Sequence, residues 1–169
     1  MLFVCPWAEV DAHVEGLEAT HVISLLGSEG VPATPAGLNP DRHLYVEIDD
    51  IATPIAGYVA PGVSHVEALL DFARDWNRSG PLIVHCFAGI SRSTAAALAI
   101  MSLFNPGQEA AAARVLRQRA PYALPNRRIL SIADDLLELD GRLVQAVQAL
   151  GPRPEERWMG RLIELPVYL

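Results

Sequence analysis

Apolar residues recur along this chain in two periods. Leu2 to Cys5, His21 to Leu26, Leu44 to Ile48 and Pro81 to His85 are short, largely apolar runs with the length of strands, the last of them β-branched at Ile83 and Val84. The run at 44–48 alternates apolar with polar, as a half-buried strand does. The run at 81–85 has no such alternation, so it belongs at the centre of a sheet covered on both faces. Elsewhere apolar residues fall every three or four positions, as on the buried face of a helix. Val10, Val14 and Leu17 give such a stripe, and so do Val66, Leu69, Leu70, Ala73 and Trp76. Ser64-His65-Val66-Glu67 has the form of a capping box opening the second of these helices. Residues 92–104 are apolar almost all round and predict a buried helix. Asn105-Pro106 reads as the cap and first-turn proline of another, over about 107–119. A helical pattern runs from Asn126 to Leu150, with Gly141 as a possible break, and Arg161 to Leu169 is expected to add an edge strand. Two stretches rich in glycine and proline, 27–41 and 51–62, read as irregular loops of the kind that carry function.

Strands alternating with helices predict an α/β fold: one domain over residues 1–169, with a mostly parallel sheet of four to five strands flanked by helices. The central strand and the buried helix are joined by a loop, His85-Cys86-Phe87-Ala88-Gly89-Ile90-Ser91-Arg92-Ser93. Its backbone N–H groups, from Phe87 through Ser91 to Arg92, are expected to converge into a bowl that accepts a tetrahedral dianion. The helix starting near Arg92 points its positive end at the same place. Gly89 allows the sharp turn. Arg92 offers a planar fork that matches two phosphate oxygens. Cys86 at the mouth is a nucleophile, since these surroundings favour thiolate, and Ser93 can offer its hydroxyl to the sulfur. His85 can fix the loop through its ring nitrogens. Cleavage of an ester there also needs an acid for the leaving oxygen. Asp49 and Asp50 end a strand, and because adjacent residues point to opposite faces, one of the two at most faces the site.

Composition narrows the partners. The 169 residues are 51% hydrophobic and 20% charged, which is globular. A net charge of −7 argues against non-specific binding to nucleic acid or anionic membrane. The oligomeric state stays open. No run reaches transmembrane length and the N-terminus does not read as a signal peptide, so a soluble cytoplasmic protein with reduced thiols is expected. Two cysteines, Cys5 and Cys86, fit no zinc pattern. All thirteen basic residues are arginine, which together with the abundant alanine suggests a GC-rich bacterial genome.

The five-residue spacing from Cys86 to Arg92, with His85, Gly89 and Ser93, resembles the signature of cysteine-dependent protein tyrosine phosphatases. The wording Ala88-Gly89-Ile90-Ser91-Arg92-Ser93 is most similar to their dual-specificity branch. Leu44 to Asp50 resembles that family's general-acid segment, and Pro125-Asn126 resembles a motif that supports the loop. The resemblance implies that Cys86 attacks phosphorus and forms a phosphocysteine. Arg92 and the loop amides would stabilise the equatorial oxygens. An aspartic acid, Asp50 by alignment with Asp49 as second choice, would protonate the leaving oxygen and later activate water. No metal and no cofactor are implied, and the partner is a phosphorylated protein or a small phosphate ester. One departure is the region Leu130-Ser131-Ile132-Ala133, where relatives often carry a glutamine.

Other readings remain beside this one. A phosphate-binding pseudophosphatase would keep the bowl without the turnover. The substrate of an active enzyme could be a non-protein ester, although no basic residue precedes Arg92 in the loop. Sulfur transfer also uses a cradled cysteine, but the spacing and the Arg92-Ser93 ending fit it less well. Cys5 reads as packing, with a redox partnership to Cys86 as the sharper option. Asn126 reads as a helix cap, a loop support, or both. His13, His21, His43 and His65 read as surface or structural. Arg114, Arg117, Arg119, Arg127 and Arg128 read as a solvated face, or as a rim attracting phosphorylated substrates. Trp7, Trp76 and Trp158 read as packing, and the 27–43 loop is expected to border the pocket.

Overall fold

In the computed structural model, which describes residues 1–169, the apolar runs become strands β1 (Leu2–Pro6), β2 (His21–Leu26), β3 (His43–Glu47) and β4 (Leu82–Cys86). A fifth, β5 (Ile163–Leu165), comes from the expected C-terminal edge segment. The order across the sheet is β3-β2-β4-β1-β5; the first four strands are parallel and β5 runs antiparallel to β1. β4 lies in the middle and is buried on both faces, as its unbroken apolar character requires.

Side chains divide between two layers with a period of two. Leu2, Val4, Ile23, Leu25, Leu82, Val84 and Cys86 face the larger core, under helices α2 (Val63–Asp75), α3 (Arg92–Phe104), α4 (Glu109–Arg119), α5 (Arg127–Leu136) and α6 (Arg142–Gln148). Phe3, Cys5, Val22 and Ile83 face the smaller core, under α1 (Val10–Gly16). Every residue of α3 from Arg92 to Ser102 is buried. Four alanines, Ala95, Ala96, Ala97 and Ala99, let this helix lie close to both the sheet and its helical neighbours. No helix is long and apolar enough to cross a membrane.

Two helix boundaries differ from the expected ones. α2 starts one residue after Gly62, not at Ser64. His65 closes the cap: its N–H donates to the Gly62 carbonyl (3.2 Å), and its Nδ1 accepts from the Gly62 N–H (3.1 Å). Asn105 does not open α4. It is buried after α3, where its amide donates to the carbonyls of Met101 (2.8 Å) and Val167 (2.7 Å) and accepts from the Leu169 N–H (2.8 Å). Those three bonds tie the chain end to α3 and leave Glu109 to begin α4. The 126–150 pattern does break, over 137–141, where Glu138, Asp140 and Gly141 all have positive φ. Buried Asp134 holds the break, accepting from the N–H groups of Gly141 (2.6 Å), Leu143 (2.7 Å) and Val144 (3.1 Å) at the start of α6.

All four parallel strands end at the same side of the sheet, so the segments that follow them meet there, as in other open α/β sheets. Trp7 follows β1, Glu29 follows β2, Asp49 and Asp50 follow β3, and the cysteine loop follows β4. Asp134→Ala would leave three N–H donors without their acceptor. It is expected to lower stability by about 3 kcal/mol, read as a lower urea midpoint at unchanged slope.

Candidate active site

The cysteine loop is shaped by where its carbonyls go. The Phe87 carbonyl accepts from Trp7 N–H (3.2 Å) and the Ala88 carbonyl from Gly160 N–H (2.7 Å). The Ile90 carbonyl accepts from Leu124 N–H (3.1 Å) and from the Thr94 hydroxyl (2.6 Å). The Ser91 carbonyl accepts from the N–H groups of Ala95 (3.0 Å) and Asn126 (3.3 Å). Four separate segments thus pull the carbonyls outward. None of the backbone N–H groups from Phe87 to Ser91 donates to a protein acceptor. They are the donors the loop turns to its inside, which suits it to an anion. Gly89 (φ +69°) sits where a Cβ would lie 2.8 Å from Pro6 N. At Gly160 a Cβ would lie 2.8 Å from the Gly89 carbonyl oxygen, so Gly89 lets the loop close on the end of β1 and Gly160 lets the later segment close on the loop.

Arg92 is 2% exposed and is held by a residue outside the motif. Its Nη1 donates to Glu29 Oε2 (3.1 Å) and to the Ile48 carbonyl (2.9 Å), and its Nη2 donates to Glu29 Oε1 (2.5 Å). Arg92 Nε is buried with no partner. Three of the five guanidinium N–H donors are therefore engaged. Nε–H and the second Nη2–H, which lie along one edge of the planar group, are left to take two oxygens of a single oxyanion. Burial opposes ionisation of Glu29, but the hydrogen bonds from Arg92, the Gly27 N–H (2.9 Å) and the Arg92 charge together hold the carboxyl below its ordinary range. Glu29 was not picked out from the sequence; the only hint was its place in the glycine- and proline-rich 27–41 stretch.

The two adjacent aspartates separate completely. Asp49 is buried, its Oδ1 accepting from Ser28 N–H (2.8 Å) and its Oδ2 from Val59 N–H (2.7 Å). These bonds, that of Ser28 first, pull its pKa below 3.8 against the cost of burial. Asp49 braces two loops and has no free oxygen for a substrate. Asp50 faces the cavity, and its Oδ1 accepts both from the Ser91 hydroxyl (2.7 Å) and from Asn126 Nδ2 (2.9 Å). Asn126 also caps α5, its Oδ1 accepting from the N–H groups of Arg128 (3.0 Å) and Ile129 (3.2 Å), while its own N–H donates to the Ser91 carbonyl (3.3 Å).

Cys86 lines the cavity, with its Sγ 3.1 Å from the Ser93 hydroxyl. Under it runs a hydrogen-bonded row from His85 Nε2 to Ser24 Oγ (2.5 Å), to His43 Nε2 (2.7 Å), and from His43 Nδ1 to Thr34 Oγ1 (3.0 Å). Burial pushes His85 down to about 3, so its ring is neutral and acts as a strut across β4, β2 and β3. Cys5 is on the opposite face of the sheet from Cys86, and burial pushes its thiol up to about 12. It packs and does not pair with Cys86.

The cavity, about 640 Å³, has a rim that differs from the expected one. The 27–43 loop contributes only Glu29. The far side is built by residues 153–158, which bring Arg153, Arg157 and Trp158 to the mouth. This segment is seated by the Gly160–Ala88 bond and by the buried Tyr122 hydroxyl, which donates to the Arg161 carbonyl (3.2 Å) and accepts from the Arg161 N–H (3.0 Å). Trp158 is 95% exposed and does not pack. Of the arginine cluster, only Arg127 reaches this cavity; Arg114 and Arg119 are solvated, Arg117 is tied to loop carbonyls, and Arg128 donates to the Pro61 carbonyl.

This α/β architecture, with the loop between the central strand and a buried helix, is the fold of the dual-specificity phosphatases. A human tyrosine phosphatase-like serine/threonine/tyrosine-interacting protein superposes with a TM-score of 0.62 at 22% identity, over 82% of this chain and 92% of its own. DUSP15 gives 0.58 at 22% identity, over 92% and 94%. A mouse putative dual specificity phosphatase complexed with zinc tungstate gives 0.60 at 20% identity, over 86% of each. No protein-family model matches the sequence, and no curated protein matches it.

Two outcomes are expected. Glu29→Ala should weaken binding of vanadate or inorganic phosphate by about 10- to 100-fold in calorimetric titration, because the Arg92 fork loses its support. Asp49→Asn should destabilise the protein at neutral pH. The carboxylate contributes fully above the ordinary value of 3.8 and loses its contribution as pH falls through the depressed folded value. Urea unfolding of wild type and variant should therefore converge only below about pH 4.

Proposed function

We propose that this chain is a phosphatase domain over residues 1–169, a cysteine-dependent phosphomonoesterase that works through a phosphocysteine on Cys86. One observation carries the reading: inward amides, a free edge of Arg92 and the Asp50 carboxylate all line one cavity with the Cys86 sulfur. The amides and Arg92 supply charge stabilisation where the equatorial oxygens of a transferring phosphoryl group develop charge. Cys86 attacks in line as thiolate, a P–S bond forms and the P–O bond to the leaving group breaks. Asp50 gives its proton to the departing oxygen. Both hydrogen bonds to Asp50 fall on Oδ1, which leaves Oδ2 to carry that proton. In the second half, Asp50 takes a proton from water, the water oxygen forms a new P–O bond as the P–S bond breaks, inorganic phosphate leaves, and the Ser93 hydroxyl supports the returning thiolate. Ser91 and Asn126 keep Asp50 aimed through both halves, in a chain that lacks the downstream glutamine of related proteins.

The mouse protein of this fold solved with zinc tungstate, a tetrahedral oxyanion, is consistent with such a cradle. A phosphorylated protein is the favoured substrate, since the loop interior from Phe87 to Ser91 carries no base for further phosphates. The chemistry needs reduced Cys86, so the protein is assigned to a reducing compartment such as the cytoplasm.

Hydrolysis of p-nitrophenyl phosphate should survive EDTA and vanish in Cys86→Ser. Asp50→Asn should lower kcat by about 100-fold or more, the usual scale for a general acid. Intact turnover in Cys86→Ser would overturn the reading, and a larger kcat loss in Asp49→Asn than in Asp50→Asn in folded protein would move the acid.

A further inference from the structure

Beside the catalytic cavity lies a second one of about 540 Å³, enclosed by α5, α6, the 123–125 turn and residues 151–153. The two share Leu124, Pro125, Arg127 and Arg153 as a common wall. The walls are aliphatic, with Leu130, Val144 and Val147 prominent. Three arginines and no carboxylate line this cavity, in a chain whose net charge is −7. Neither Arg127 nor Arg153 has an acidic side chain within ion-pair distance. Arg117 Nε is buried there without an acceptor.

An apolar cavity edged by unpaired cations fits an occupant that is apolar in body and negatively charged. A plain acyl chain would cover the guanidinium groups without answering them. A nucleobase would find aliphatic walls and no ring to stack on. An acidic residue next to a bulky apolar one answers both features. Because the shared wall is one layer of side chains thick, that pair belongs within about three residues of the group in the catalytic cavity, at roughly 3.4 Å per extended residue.

Resting on the phosphatase reading, we propose that the second cavity is a substrate-recognition subsite and that the preferred substrate is a phosphopeptide. That peptide carries an acidic residue beside a bulky apolar one, close to the phosphorylated side chain. Arg127 and Arg153 take the carboxylate and the aliphatic walls take the apolar side chain.

The test uses phosphotyrosine peptides with an Asp-Leu pair two residues before or two residues after the phosphotyrosine, and a control with Ala-Ala there. Binding is read by fluorescence anisotropy on the full chain as Cys86→Ser, so that it does not depend on turnover. One Asp-Leu peptide should bind about tenfold more tightly than the control, a typical worth for a well-placed anchor and charge. Gln148→Trp, at an exposed position that lines only the second cavity, should erase that preference while p-nitrophenyl phosphate turnover stays within about twofold, the scale of a neutral surface change. Arg153→Glu should reverse the preference. Equal binding of all three peptides would overturn the subsite, as would a preference that persists in both variants. So would a cavity claimed by lipid, seen as Gln148→Trp weakening a soluble dioctanoyl phosphoinositide but none of the peptides. Loss of p-nitrophenyl phosphate turnover in otherwise wild-type protein, with the binding preference intact, would instead overturn the phosphatase reading alone.

Discussion

The structure depends on one constraint: the carbonyls of the cysteine loop must point away from the cavity. A loop free to choose would pair its amides and carbonyls locally. Here Trp7, Leu124, Asn126 and Gly160, from three distant parts of the chain, each offer an N–H from outside. Peptide planarity then turns the adjacent amides inward. The charge of the bowl is thus set by the backbone of its neighbours more than by its own side chains. It also explains the two glycines, Gly89 lying against the Cys5–Pro6 backbone and Gly160 against the Gly89 carbonyl, where neither position has room for a Cβ.

Charge around the bowl follows the same logic of division. Arg92 is too buried to stand alone, and Glu29 and the Ile48 carbonyl balance it on one side while one edge stays open. Asp49 and Asp50 follow the end of β3 and face opposite ways, the Ile51 N–H donating to the Asp49 carbonyl (2.9 Å) as the chain bends at Asp50. One is consumed by backbone amides and joins the loops; the other lies across the cavity from Cys86, steadied by two neutral donors. The cysteines divide likewise, Cys86 into the cavity side and Cys5 into the small core on the other face.

The segment after α6 gives the cavity its character. By hydrogen-bonding to the loop at Ala88 and wrapping the Tyr122 hydroxyl, it places Arg153, Arg157 and Trp158 at the mouth of the cavity. An acidic chain thereby presents a locally basic mouth, and its second cavity lies against the same wall.

The strand and helix pattern, the placement of the cysteine loop, and the pairing of Cys86 with Arg92 and Ser93 were legible in the sequence because each is local. Hydrophobic period, glycine at the turn and a fixed spacing are written within a few residues. Alternation along the expected strand puts at most one of Asp49 and Asp50 toward the site, although β3 itself ends at Glu47. What separates their roles is a pair of amides, from Ser28 and Val59, that strand alternation does not reveal. Glu29 reaches Arg92 across 63 positions, Asn126 reaches Asp50 across 76, and Asn105 is drawn from an expected helix cap to the chain end 62 positions away. Trp158 reads as packing in sequence and stands exposed in the fold, since nothing local says whether an indole finds a neighbour. The sequence by itself determined the cysteine loop and the layers that hold it. Tertiary structure alone decided which carboxylate, which cation and which rim surround it, because those depend on where distant backbone donors end.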